Sequence, residues 1–248
     1  MADQVGNPAY MDKSIPSVQH TSQRYNAELE QLRSSVLSMG GLVERQCAEA
    51  LEALVKGDEE LARSVSGSDD AVNRYELEIS AQCIDILARR QPAARDLRMV
   101  VSIIRMVANL ERIGDEAAKV ARMAAKLADD YHEQSYHSEP LHLGKGAQAL
   151  LHNALDAFAR LDVDASIDVI ARDEDIDREF KSLTRILVSH MTENPERVKN
   201  MLRVNSCARA FERIGDHATN LCEEVIYLVA GSDVRHLDIE EIRERFRS

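Results

Sequence analysis

Leu110-Glu-Arg-Ile-Gly-Asp115 recurs 101 residues downstream as Phe211-Glu-Arg-Ile-Gly-Asp216, and this repetition decides the fold. Self-similarity at a fixed offset marks a duplicated structural unit. Working outward, Ala50-Leu-Glu-Ala-Leu54 matches Ala154-Leu-Asp-Ala-Phe158 at an offset of 104. The same offset aligns Asp58 with Asp162, Val65 with Val169, Asp69 with Asp173 and Val72 with Ile176. The two registers part between Arg90-Gln-Pro-Ala-Ala94 and Glu193-Asn-Pro-Glu-Arg197. Each of these segments holds a proline that a preceding helix cannot easily pass.

Each repeat reads as three helices. The first is expected over 28–55 and 146–160, followed by the short acidic turns Gly57-Asp58 and Leu161-Asp162. The second runs to about Arg90 and to about Thr192; the third runs from near Arg95 to Asp129 and from near Pro195 to Gly231. In the third helices the apolar seam is plain. It comprises Val100, Ile103, Val107, Leu110, Gly114, Ala117, Ala121 and Ala124, then Met201, Val204, Ala208, Phe211, Gly215, Ala218, Cys222 and Val225. Spacing that alternates three and four is the signature of an antiparallel bundle. A glycine at the same seam position in both copies implies the close approach of another backbone, or room for a ligand.

Composition agrees with an all-α protein of two tandem three-helix bundles. The 248 residues include only 10 Gly and 5 Pro, no Trp, and a hydrophobic fraction of 44%. The domains are expected as an N-terminal mobile tail (1–20), a first repeat (21–130), a linker (131–145), a second repeat (146–232) and a C-terminal tail (233–248). A net charge of −12, from 43 acidic and 31 basic residues with no basic stripe, argues against nucleic-acid binding. The four cysteines, Cys47, Cys83, Cys207 and Cys222, form no CxxC motif and read as small core hydrophobes in a reducing compartment. With no run of about 18 apolar residues and no export-type start, a cytoplasmic protein is expected.

The chemistry concentrates beside the seam. Glu111 and Asp115 are four apart, as are Glu212 and Asp216, so each pair shares one helix face. If the second and third helices form a hairpin, residues equidistant from the turn are level. Asp69 and Asn73 then face Glu111 and Asp115 across Pro92, and Asp173 and Asp177 face Glu212 and Asp216 across Asn194-Pro195. That gives four carboxylates in the second repeat, and three plus an asparagine in the first. Oxygen ligands on adjacent helices suit a hard cation such as Mg²⁺, Mn²⁺, Ca²⁺ or oxidised iron. The same acids equally suit a solvated charge network with Arg112 and Arg213. The histidines offer less. Glu139-Pro-Leu-His142 carries the Glu-x-x-His spacing but includes a proline, His132, His137 and His142 lie in the linker, and His217 is expected on the surface near the second cluster. No phosphate-binding glycine loop and no nucleophile motif is present, so catalysis is not expected.

The paired Glu-Arg-Ile-Gly-Asp blocks resemble the PhoU family, as do Arg89-Arg-Gln-Pro-Ala-Ala-Arg-Asp-Leu-Arg98, Asn26-Ala-Glu-Leu-Glu30 and Met39-Gly-Gly-Leu-Val-Glu44. The resemblance spans about residues 20–240. It implies two similar three-helix bundles, often dimeric, in a cytoplasmic negative regulator of phosphate uptake and of the phosphate-starvation response. It implies as partners the phosphate ABC transporter, through its nucleotide-binding subunit, and a sensor histidine kinase, so that membrane contact is peripheral. It also implies a metal (Mg, Mn, Fe or Zn) on Asp69, Glu111, Asp115, Asp173, Asp177, Glu212 and Asp216, with Asn73 departing from the carboxylate pattern. A metalloenzyme and a purely structural scaffold remain as other readings of the same bundle.

Overall fold

The computed structural model describes residues 17–128 and 140–246. Eight helices form among these residues: α1 (Ser17–Lys56), α2 (Glu59–Ser66), α3 (Asp69–Arg90), α4 (Ala94–Ala128), α5 (Leu141–Arg160), α6 (Val163–Glu193), α7 (Val198–Ala230) and α8 (Ile239–Phe246). A 3-10 turn, Pro195–Arg197, joins α6 to α7. No strand occurs among the described residues. No helix among them is long and apolar enough to cross a membrane.

The duplication is visible turn by turn. Gly57 and Leu161, equivalent at the offset of 104, both take left-handed backbone, with φ of 64° and 53°. The next residue caps the following helix: Asp58 Oδ1 accepts from the Leu61 N–H, and Asp162 Oδ1 from the Ala165 N–H. Every residue of both seams is buried, and α4 and α7 pack along each other at the centre of one core shared by both repeats. Phe158 and Phe211 are its largest fully buried side chains. Burying each contributes about 1.5–3 kcal/mol. The four cysteines are free and buried, as expected.

A local two-fold relates α1 and α5. A Cβ on Gly40 would lie 2.5 Å from Leu155 Cδ2, and one on Gly144 would lie 2.7 Å from Leu51 Cδ1. These are the same pair in the two copies, so the helices meet antiparallel at matched glycines.

The structure corrects three expectations. The second helix of the first repeat is broken, with α2 ending at Ser66 and α3 beginning at Asp69, whereas α6 runs unbroken. Gly67-Ser68 stands at the break, and its equivalents, Ala171-Arg172, are better helix formers. Secondly, helix starts earlier than expected, at Ser17 and at Leu141, so parts of the N-terminal tail and of the linker are helical; residues 1–16 and 129–139 lie outside the described residues. Thirdly, the C-terminal tail holds α8. Its Asp238 and Glu241 cap each other's backbone N–H in a capping box. Ile242 and Val234 then pack on Ile167 and Ile226.

Candidate functional site

The hairpin levels expected from the sequence are realised in the second repeat. Asp173 and Asp177 on α6 and Glu212 and Asp216 on α7 form one electrostatic cluster. Burial raises the Asp173 carboxyl to about 7, helped by the charges of Asp216, Asp177 and Glu212. Partial burial, then Glu212 and Asp177, raises Asp216 to about 6, although its outer side is open to solvent. Asp173 reaches this place because the facing residue is a glycine: its Oδ1 is 2.9 Å from where a Cβ on Gly215 would be.

Counter-charges are shared unevenly. Arg209 pairs with Glu212 at 3.1 Å and Lys181 with Asp177 at 3.4 Å. Arg213, expected beside its own Glu and Asp, reaches across to Glu116 of α4 at 2.5 Å. Asp173 and Asp216 make no ion pair among the described residues. In the first repeat Arg112 stands 3.5 Å from both Glu111 and Asp115, the charge network anticipated as the other reading. Asn73 is half-buried on α3. The Asp69 side chain lies outside the described part of the structure.

An oxygen-only donor set is the kind that suits a hard cation, and the bare α7 surface at Gly215 leaves room for the Asp173 carboxylate. As they stand, the carboxylates hold one another off. No three His, Cys, Asp or Glu side chains among the described residues converge into a formed cation site.

The histidines lie elsewhere. His217 is half-buried between the repeats, its Nδ1 2.9 Å from Asn109 Oδ1, which also accepts from Asn220. Burial and then Arg213 lower its pKa, favouring the neutral ring. His142 Nδ1 sits 2.6 Å from Glu179 on α6. His132, His137 and Glu139 lie outside the described residues. Buried polar residues escaped the sequence reading, Gln46 among them. Gln46 of α1 is buried beside Gly114, and its only sequence signal is a Gln where the second repeat has Leu150.

The family model of the PhoU domain matches residues 36–124 and again 141–225, one match per repeat. The chain belongs to the PhoU family. A PhoU homolog from Pseudomonas aeruginosa, named a phosphate-specific transport system accessory protein, is 48% identical over 225 residues, 91% of this chain and 93% of that protein. The accessory protein PhoU of Escherichia coli is 40% identical over 223 residues, 90% of this chain and 92% of that protein. The crystal structure of PhoU from P. aeruginosa superposes with a TM-score of 0.81 at 48% identity, covering 84% of this chain and all of that one. The phosphate transport system regulatory protein PhoU from Streptococcus pneumoniae gives 0.78 at 30% identity, covering 85% and 99%. PhoU proteins are accessory and regulatory proteins rather than enzymes, and the two PhoU matches coincide with the two helical repeats described above.

Proposed function

We propose that this PhoU chain is a cytoplasmic negative regulator of phosphate uptake and of the phosphate-starvation response. It acts as a metal-binding adaptor between the phosphate ABC transporter, at its nucleotide-binding subunit, and the sensor histidine kinase, and it works as a homodimer. Family membership supports the phosphate role. The observation that carries the metal is the second-repeat cluster, in which two of four neighbouring carboxylates, Asp173 and Asp216, are held above the usual carboxylate range with no ion pair among the described residues. Asp173, Asp177, Glu212 and Asp216 would hold one cation, and Asp69, Asn73, Glu111 and Asp115 the other. The metal (Mg, Mn, Fe or Zn) supplies positive charge that relieves the repulsion and ties the second helix of each repeat to the third. Arg209 and Lys181 compete with it for Glu212 and Asp177, and Gly215 leaves space for Asp173.

The test is phosphate-regulated gene expression in cells carrying Glu212→Ala with Asp216→Ala, beside a deletion. Constitutive expression at high phosphate in both supports regulator and site together. If only the deletion is constitutive, the cluster is dispensable. If neither changes, the phosphate role fails.

A further inference from the structure

Gln46 is a polar residue buried in the core of the first repeat. It is 4% exposed, and its Oε1 is buried without a hydrogen-bond partner. A buried polar oxygen left unsatisfied costs about 1–3 kcal/mol, so a Gln retained here should have a use for it. Its other end is fixed. Nε2 donates to the Ser68 carbonyl at 3.1 Å and to Ser68 Oγ at 2.9 Å, which orients the amide and assigns its oxygen.

The helix break explains why Gln46 is held there. Between α2 and α3 the Ser68 carbonyl is reached by the Ala71 N–H only at 3.3 Å, and the Gln46 amide completes it. The second repeat has no break, needs no such donor, and carries Leu150 at the equivalent position. The two residues point at the same place. Leu150 Cδ1 lies 3.5 Å from where a Cβ on Gly215 would be, and Gln46 Oε1 lies 3.5 Å from where one on Gly114 would be. Gly114 sits between Glu111 and Asp115 on α4. The orphan oxygen therefore lies against the stretch of α4 that carries Glu111 and Asp115, at the level where the second repeat sets a Leu150 methyl group beside Asp173.

We propose that Gln46 Oε1 is a ligand of a hard divalent cation in the first repeat, acting with Glu111 and Asp115. It supplies the oxygen that Asn73 fails to supply as a carboxylate, since amide carbonyls are ordinary ligands of such ions. The two sites of the chain then differ in kind: the second is all carboxylate, and the first is less charged and includes an amide oxygen from α1. Cation binding in the first repeat thereby draws a third helix, α1, into the site. This inference rests on the metal reading above.

The test is Mn²⁺ titration of the full chain, with free ion followed by electron paramagnetic resonance. Glu212→Ala with Asp216→Ala isolates the first site, and Glu111→Ala with Asp115→Ala isolates the second. Gln46→Leu copies the second repeat, and Gln46→Met keeps the length of the side chain while removing the oxygen. Both should weaken Mn²⁺ binding at the isolated first site about tenfold or more and leave the isolated second site unchanged. Unchanged affinity at the first site with Gln46→Met overturns the proposal, as does an isolated first site that takes up no Mn²⁺. If the unaltered chain binds no Mn²⁺, the metal reading itself fails. If it binds two ions, and Gln46→Met still binds two with equal affinity, only the role of Gln46 fails.

Discussion

Asp173 Oδ1 occupies the space that a side chain on Gly215 would need, 2.9 Å from the position of its Cβ. This pairing of a glycine on α7 with a carboxylate on α6 lets a half-buried acid stand level with Glu212 and Asp216. In the first repeat the equivalent glycine, Gly114, meets Val72 Cγ1 at 3.3 Å instead.

Gly215→Ala should therefore behave differently from Gly114→Ala. An alanine gains about 1 kcal/mol of helix propensity at either position. At 215 it also displaces the Asp173 carboxylate, and Mn²⁺ affinity of the second repeat should fall several-fold. At 114 the Val72 methyl has only to give slightly, and thermal stability should change by less than about 1 kcal/mol. Paired melting curves and Mn²⁺ titrations separate the two.

Arg209 competes with any cation for Glu212, which it holds at 3.1 Å while lying 4.9 Å from the centre of the Phe180 ring. Arg209→Ala should raise Mn²⁺ affinity of the second repeat, by several-fold at low salt and by less at high salt. A loss of stability with no change in Mn²⁺ binding would instead favour the charge-network reading.

Glu223 makes stability depend on pH away from either acidic cluster. Burial first and then Glu224 and Asp233 raise its carboxyl from 4.5 to about 7, against the pull of Arg235. A carboxyl raised on folding is protonated in the folded state while already ionised in the unfolded one. Its contribution is therefore complete below pH ~4.5 and is lost as pH rises through about 7. Glu223→Gln should match the unaltered protein near pH 4.5 and exceed it at pH 8, by up to about 3 kcal/mol in chemical denaturation.

The equivalent capping aspartates of the two repeats, Asp58 and Asp162, should have similar effects. Asp58→Ala and Asp162→Ala each remove one side-chain acceptor from a helix start and should each cost about 1 kcal/mol in urea unfolding. Gly57→Ala should cost about as much again, because the left-handed backbone there suits glycine.

Much of this was legible in the chain itself. The repeated Glu-Arg-Ile-Gly-Asp blocks and the three-four spacing of the seams specify helices, their number in the second repeat, and which face is buried. That legibility has a physical basis, since helical periodicity and turn chemistry are local. The level of the acidic pairs was also readable, because a tight hairpin turns sequence distance into height along the bundle. Even α8 had a local sign, Asp238-x-x-Glu241, inside a segment read as tail. Other features depended on contacts between residues far apart. Arg213 leaves its own acidic pair for Glu116, which is a contest between two sites 97 residues apart. His217 turns into the seam between repeats. Gln46 finds Ser68 only because a break in the neighbouring helix leaves a carbonyl in want of a donor. Sequence alone determined the repeat, the helices and the candidate acids; tertiary structure decided which acids keep a cation partner and which oxygen is left without one, because charge and hydrogen-bond balance depend on what packing brings alongside.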